Sequence, residues 1–366
     1  MAVSFAYGSR GVTLNFFDHV GTPLAKETEF GKMMAAKKPY LNALAMATQP
    51  DGPFRGVRLL HHPSASMSKQ LPVGCDYQDL AEDGYAMMQA LESHGISTTY
   101  DPAAVTAAAG QTLRSYSDAE LRQLLAGAVL LDAAAAAVLL ERGFGGLIGM
   151  REVTKSVHRR ELPWVLSAEE FHHPQFGGAR RKYLSATLPN LGTAGKFSIL
   201  TPAEGCEVLS SWVDPDTKRV APAMTASENS LGGRVVVHGM DYASAFGVDY
   251  CHPFRREQLH GVVRWLSAGA LELLFDCDGA FPLVWRKSAG ADTEIIGGFN
   301  LSLDDWNEVE FQLAWPGALP QAHCLDGHGN WQTDASLTLE LAGGILTLRY
   351  TGAVSYHLPL VIRLTR

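Results

Sequence analysis

Three polar side chains near the start of the chain have the types and spacing of substrate ligands. Asn15, Asp18 and His19 come where an apolar run gives way to polar residues, just before a Gly/Pro turn. The run predicts a β-strand, and in a (β/α)₈ barrel the carboxyl end of every strand faces the active site. If a barrel is present, these three residues line its substrate site. The alternative is that Asp18 caps the turn around Gly21.

Nucleophilic chemistry has weaker support in the residue pattern. An amidotransferase-type hydrolase needs a cysteine at a tight turn between a strand and a helix, whereas Asp132 follows the third predicted strand. We interpret Asp132 as the N-cap of the next helix. Cys251 precedes His252 but has no flanking G-x-C-x-G pattern. A hydrolase acting through Cys251 or Cys206 is therefore the weakest of the functional hypotheses.

Two histidine pairs could supply imidazoles to a metal ion. His61-His62 and His172-His173 are each followed by proline. Zinc requires further ligands in a defined geometry, and the chain has neither an HExxH motif nor histidines spaced four apart. No GxGxxG follows the first strand of the predicted parallel sheet, and no GxxxxGK[ST] loop occurs. We interpret the pairs as loop residues and predict no metal and no cofactor.

The composition limits the compartment and the partners. The 366 residues are 46% hydrophobic and 19% charged, with a formal net charge of −8. An acidic chain without a basic cluster is a poor ligand for nucleic acids and anionic membranes. No signal peptide is visible, and no apolar run approaches the roughly 18 residues of a membrane span. Five scattered cysteines without CxxC spacing suggest free thiols. We predict a cytoplasmic protein that binds neither nucleic acid nor membrane.

Three segments must position these residues. Residues 1–53 read as one strand followed by a helix over Glu27–Met46. Residues 54–268 alternate strands and helices, with a fourth strand at Gly146–Gly149, and this order predicts a parallel sheet with helices on both faces. Residues 269–366 contain short alternating strands separated by glycine turns, which predict an all-β antiparallel sandwich.

The strand in residues 1–53 has no preceding strand with which to pair. A lone strand of parallel type can neither satisfy its own backbone groups nor cover both of its faces. Either this strand and its helix dock on the rest of the chain, or the chain is the C-terminal part of a longer protein. We expect the second arrangement, in which the missing part holds most of the chemistry.

Four short stretches, taken with the segment order, carry a resemblance to a known family. They are Gly11–Asp18, Asn229–Gly239, Gly298–Ser302 and Leu325–Trp331. The first resembles the last barrel strand in the C-terminal part of glycoside hydrolase family 42 and related β-galactosidase-like enzymes. The second resembles a glycine-rich strand of their trimerisation domain, and the other two look like their C-terminal β domain.

The resemblance implies both an architecture and a role. Residues 1–53 would be the terminal βα unit of a TIM-type barrel, residues 54–268 a flavodoxin/amidotransferase-like parallel-sheet domain, and residues 269–366 a β-sandwich. The implied substrate is a carbohydrate, and the middle domain would assemble homo-oligomers and shape the rim of the sugar site. The two catalytic glutamates of that family lie on earlier barrel strands. No residue here matches either of them, so we carry over no catalytic residue.

A stand-alone carbohydrate-binding or interaction module is the second hypothesis. Its sugar ligands would stack on tryptophans of the last segment, although we expect most of these rings to be buried in the β core. The tryptophans concerned are Trp285, Trp306, Trp315 and Trp331.

Overall fold

The computed structural model shows a mixed α/β chain with a β-rich C-terminal part. It divides into two compact units, Met1–Arg55 with Phe275–Arg366, and Gly56–Leu274. Among the residues described, no helix is both long and apolar enough to cross a bilayer. The residues described are 1–12, 23, 26, 28–48, 52–71, 73–154, 157–158, 168–180, 182–185, 196–242, 252–279 and 281–366.

The described residues of the first unit, called the β unit here, form two sheets and two helices. The larger sheet is antiparallel throughout. In spatial order its strands are β1 (Phe54–Arg55), β16 (Pro282–Ser288), β17 (Thr293–Asn300), β23 (Leu360–Thr365), β19 (Gln321–Leu325) and β20 (Trp331–Gln332). The smaller sheet has the order β15 (Leu274–Cys277), β18 (Val309–Ala314), β22 (Ile345–Tyr350) and β21 (Leu337–Ala342).

The two sheets of the β unit pack against each other through alternating apolar side chains. Strand β18 buries every second residue, as a strand with one covered face should. A Cβ atom added to Gly298 of β17 would lie 3.2 Å from the Phe275 ring and 3.5 Å from the Phe311 ring of the smaller sheet. The antiparallel, β-rich character predicted for residues 269–366 is confirmed.

The opposite face of the larger sheet is covered by helix α2 (Thr28–Thr48), with α1 (Ala2–Ala6) beside it. Tyr40, Leu41 and Leu44 of α2 share a buried cluster with Trp285 and Ile295. The predicted helix is therefore present, and it continues through Pro39.

The polar ends of the two helices are also tied to the β unit. Thr48 Oγ1 donates a hydrogen bond to the Phe5 carbonyl at 2.6 Å, and Lys287 Nζ donates to the Thr48 carbonyl. The described part of residues 1–53 thus belongs to the β unit rather than forming a unit of its own. The strand predicted at the start of that segment lies outside the described residues, and its origin in a barrel stays a prediction.

The second unit, Gly56–Leu274, is called the α/β unit and is built on one nine-stranded sheet. Five neighbouring strands pair in parallel: β3 (Thr98–Thr99), β2 (Val57–Leu59), β4 (Val105–Ala108), β5 (Ala128–Leu131) and β14 (Arg234–His238). Four antiparallel strands continue the sheet from β14: β13 (Arg219–Glu228), β12 (Glu207–Val213), β8 (Ala168–Phe171) and β9 (Lys182–Ser185).

Helices and small strand pairs surround this sheet. One core cluster joins α5 and α6 to alternate residues of the parallel strands, among them Val129, Leu131 and Val235. The helices are α3 (Ala65–Ser68), α4 (Gly84–Ser93), α5 (Asp118–Leu125), α6 (Ala133–Glu141) and α7 (Pro253–Ser267). The strand pairs are β6 (Met150–Val153) with β11 (Leu200–Pro202), and β7 (Val157–His158) with β10 (Lys196–Phe197).

The parallel sheet predicted for residues 54–268 is present as one part of a larger, mixed sheet. Strands β12 and β13 are joined by a short turn in which Asp214 Oδ1 accepts hydrogen bonds from the backbone N–H groups of Asp216 and Lys218. So short a connection produces an antiparallel hairpin, because a parallel crossover needs a dozen or more residues. Gly146–Gly149 is also not a strand of this sheet. A 3₁₀ turn spans Gly145–Leu147, and β6 follows it.

The packing of α2 on the β unit can be tested by truncating one side chain. Leu44 has no exposed surface, whereas Met46 on the same helix is 73% exposed. We expect Leu44→Ala to lower the free energy of unfolding by about 2–5 kcal/mol, because it leaves a cavity against the sheet. Met46→Ala should change it by under about 0.5 kcal/mol. Urea denaturation measures both values, and equal values for the two variants would contradict the packing.

Candidate functional site

The three residues predicted to bind substrate, Asn15, Asp18 and His19, lie outside the described residues. Cys251 lies outside them as well. Their roles remain predictions.

The histidine pairs make separate contacts with carboxylates or with a hydroxyl. His61 Nδ1 lies 2.6 Å from Glu82 Oε1, and His173 Nε2 lies 2.6 Å from Glu207 Oε1. His172 Nε2 lies 3.0 Å from Ser211 Oγ. In the described ranges, no group of three or more His, Cys, Asp or Glu side chains could hold a metal ion.

Cys206, the other candidate nucleophile, has the wrong environment for that role. Its Sγ donates to the Ala226 carbonyl at 3.3 Å, and partial burial raises the pKa of the thiol. A nucleophilic cysteine needs a depressed pKa, because the thiolate is the attacking species.

Most of the tryptophans proposed for sugar stacking are in the core of the β unit. Trp285, Trp306 and Trp315 are each at most 2% exposed, as expected for large aromatic side chains in a small β core. Trp331 is only partly buried, and the Arg363 guanidinium lies 4.6 Å from its ring centroid.

The carboxyl ends of β4 and β5 meet at a buried carboxylate, that of Asp132. Its side chain caps α6, as predicted, by accepting the Ala135 N–H at 2.8 Å, and both of its oxygens lie 3.0 Å from the Gly110 nitrogen. Complete burial and the nearby charge of Asp241 raise the pKa of Asp132 well above its usual range. This carboxyl group is thus a protonatable cap that is held by backbone donors.

A second carboxylate closes the same edge. Asp83 Oδ1 accepts from Lys69 Nζ at 2.6 Å, and its Oδ2 accepts the Gln111 N–H at 2.7 Å. Gly110 has a φ of +62°, and a Cβ there would lie 2.2 Å from the Asp83 carboxyl group. Glycine is therefore required at this position both for its backbone conformation and for the space that Asp83 occupies.

A buried ionic network lies between β8, β14 and α7. Arg255 binds Glu169 through both terminal nitrogens, with Nη1 to Oε1 at 3.1 Å, and Ser210 Oγ donates to Glu169 at 2.5 Å. His238 Nε2 lies 3.4 Å from Arg255 Nη1, and His238 Nδ1 lies 2.8 Å from the Tyr242 hydroxyl. All five residues are at most 2% exposed.

The electrostatics of this network fix its charges. Burial alone would raise the pKa of Glu169, but the Arg255 charge and the His238 contact outweigh it and hold the pKa well below its usual range. Burial and the same arginine lower the pKa of His238. At neutral pH Glu169 and Arg255 therefore form an ion pair, with the neutral imidazole of His238 beside it. Because it is enclosed, a substrate cannot reach it, and its role is to join structural elements.

An open cleft lies along the sheet face that carries α5. Arg58 of β2 reaches into it together with Thr106 of β4, and Tyr116, Glu120 and Gln123 also line it. Its volume is about 320 Å³. Sequence reasoning missed this site, because an arginine at the centre of a three-residue strand gives no catalytic or ligand-binding pattern. We call it the Arg58 cleft.

Comparison with known proteins does not identify a family for this chain. No protein-family model matches the chain, and no curated protein matches it. Its function is therefore inferred from the residues and geometry of the described sites.

The raised pKa of Asp132 predicts a pH-dependent stability. A carboxyl group with a raised folded-state pKa binds more protons when folded, so stability falls as pH rises from about 4, the ordinary aspartate value. Asn caps helices as well as Asp does. We expect Asp132→Asn to gain stability relative to the wild type as pH rises from 4.5 to 7.5 in urea titrations. Asp132→Ser, another capping residue, should show the same trend, and a difference independent of pH would contradict the assignment.

The Glu169–Arg255 ion pair predicts a large cost on breaking it. Glu169→Gln leaves a buried guanidinium without its counter-ion, which costs about 3–5 kcal/mol. Glu207→Gln is the matched control, because the Glu207 side chain is 53% exposed and exposed pairs contribute about 0–1 kcal/mol. Chemical denaturation measures both. The double variant Glu169→Gln/Arg255→Met should recover part of the loss, and equal costs for the two single variants would contradict this role.

Proposed function

We propose that this chain is the C-terminal region of a glycoside-hydrolase-type protein that acts on carbohydrate, similar to the β-galactosidases of family 42. It has an assembly and site-shaping role and no complete catalytic site of its own. The finer fold assignments belong to the same proposal. They are a flavodoxin/amidotransferase-like relationship for the α/β unit and a barrel origin for residues 1–53.

The observation that carries the non-catalytic part of the proposal is the enclosure of Asp132. In parallel α/β sheets, ligands bind at the carboxyl ends of the strands, and Asp132 stands at that edge, directly after β5. It has no exposed surface, and its oxygens accept backbone N–H groups from Gly110 and Ala135. A retaining glycosidase needs two accessible carboxyl groups about 5–5.5 Å apart, which an enclosed helix cap cannot supply.

The order of folds supports the family part of the proposal. A helix within residues 1–53, a strand-and-helix unit and a mostly antiparallel β region follow one another along the chain, as the resemblance implies. The five neighbouring parallel strands of the α/β unit are compatible with an amidotransferase-like origin. The four antiparallel strands beyond them are an addition that the simple pattern lacks.

The stand-alone binding module has less support. Three of its four tryptophans are in the core, and the fourth has a guanidinium over its ring. Of these four tryptophans, Trp331 is therefore the one whose ring could stack on a sugar. Galactoside binding that Trp331→Ala leaves intact would exclude stacking on this ring, and the absence of sugar binding by the wild-type chain would remove this alternative.

The proposal predicts no glycoside turnover by the isolated chain. We expect purified protein to release no nitrophenol from nitrophenyl β-galactoside or related aryl glycosides, because no residue of the chain matches either catalytic glutamate of the family that it resembles. An active β-galactosidase is the positive control, and a mock purification from cells with an empty vector sets the background. Turnover above that background that copurifies with the chain would contradict the proposal.

The assembly role has its own measurement. Sedimentation equilibrium should give a mass of at least two whole chains. A chain that stays monomeric at all accessible concentrations would remove the assembly role, while the absence of turnover would still hold.

A further inference from the structure

Arg58 is placed where an apolar residue would be expected. It pairs in register with Thr106 of β4, and Thr106 pairs with Val129 of β5. Residues in register point to the same side of a sheet, and Val129 belongs to the core beneath α5 and α6. The guanidinium therefore lies on the helix-covered face, near the edge of the parallel strands.

The Arg58 guanidinium has no protein acceptor in the described part of the chain. Its Nε is buried and makes no hydrogen bond, and no ion pair joins this side chain to a described carboxylate. A buried donor left without an acceptor destabilises the folded state. The Nε of Arg255 also lacks a hydrogen bond, but both terminal nitrogens of Arg255 bind Glu169, whereas no described carboxylate binds Arg58. The missing acceptor at Arg58 suggests that something outside the protein supplies it.

The cleft around Arg58 has the size and lining of a small-molecule site. Its volume of about 320 Å³ lies at the lower end of the roughly 300–1,000 Å³ typical of such sites. Ala103, Ala104 and Gly127 form part of its wall, and their small side chains leave the space open. The cleft thus provides both space for a small molecule and a guanidinium group that no described acceptor binds.

The polar groups beside Arg58 define the chemistry of the ligand. Thr106 and Gln123 provide a hydroxyl and an amide that can bond to oxygen atoms. Glu120 lines the same cleft, and its carboxylate accepts the Ser117 N–H at 2.7 Å and the Ser117 hydroxyl at 2.6 Å. A negative charge there disfavours a second anionic group on the ligand and favours hydroxyls as donors.

We propose that the Arg58 cleft binds a small hydroxylated molecule that carries one oxyanion group, a carboxylate or a phosphate. The guanidinium binds two oxygens of that group with parallel N–H···O bonds, the geometry for which arginine is suited. Thr106 and Gln123 bond the oxyanion or the neighbouring hydroxyls. The proposal stands on the α/β unit alone and does not depend on the carbohydrate role proposed for the whole chain.

Calorimetric titration of the full chain tests the proposal with four probes. Glucuronate carries a carboxylate, glucose 6-phosphate carries a phosphate, inorganic phosphate has no sugar, and glucose has no charge. We expect glucuronate or glucose 6-phosphate to bind, inorganic phosphate to bind more weakly than the sugar phosphate, and glucose to show no binding. Binding of neither charged sugar, or equal binding of glucose, would overturn the proposal.

Substitutions then assign the binding to the cleft. Arg58→Met should weaken binding at least tenfold, and Arg58→Lys should weaken it less, because a lysine keeps the charge but not the paired donors. The matched control is Arg122→Met, which removes the same charge from an exposed position on α5, where the guanidinium lies 5.4 Å from the Phe144 ring centroid. The control should bind like the wild type.

A second variant leaves Arg58 in place. Ala104→Leu adds bulk to an exposed wall of the cleft and should also weaken binding at least tenfold. Arg58→Met should unfold at the same temperature as the wild type or a higher one without ligand, because it removes an unpaired buried donor. If Arg58→Met does not fold, the ligand affinities of Ala104→Leu and Arg58→Lys test the proposal in its place. Unchanged binding in Ala104→Leu and Arg58→Lys would overturn the proposal.

Discussion

The ion pair between Glu169 and Arg255 joins the two halves of the α/β unit. Glu169 lies on β8, in the antiparallel half of the sheet, and Arg255 lies on α7, which contacts β4, β5 and β14 in the parallel half. Both side chains are at most 2% exposed, so each depends on the other to offset its loss of hydration. The bidentate contact between Glu169 and Arg255 therefore links the position of β8 to the position of α7.

Sequence patterns succeeded where the decisive contacts are local. The capping box at the start of α5 joins Ser117 to Glu120, three residues away, and both of its hydrogen bonds form. Asp132 caps α6 by accepting the backbone N–H of Ala135, which is also three residues away. The glycine-flanked strand at β14 was also predicted, but the physical reason for Gly233 was not visible. A Cβ there would lie 1.9 Å from the Leu125 carbonyl oxygen, a contact between residues that are far apart in sequence.

Prediction failed where direction or distant partners decide the structure. Alternating strands and helices imply a parallel sheet. However, a strand has the same side-chain periodicity whether it runs parallel or antiparallel to its neighbour. The β12–β13 hairpin makes the strands beyond β14 antiparallel. The apolar face of α2 was readable from Tyr40, Leu41 and Leu44, but not the surface that covers it, which lies more than 200 residues further along the chain. Glu169 and Arg255 are separated by 86 positions, and neither belongs to a recognisable motif.

The buried polar groups of the α/β unit separate into two kinds. Asp132 and Glu169 are enclosed, and backbone donors or an opposite charge satisfy them, so they stabilise the fold without needing a ligand. Arg58 is only partly buried, faces open space and has an Nε without an acceptor. Selection for stability alone would favour an apolar residue at its position. Because the arginine is present there with an unused donor, we assign the unit's ligand chemistry to this cleft rather than to the enclosed carboxylates of Asp132 and Glu169.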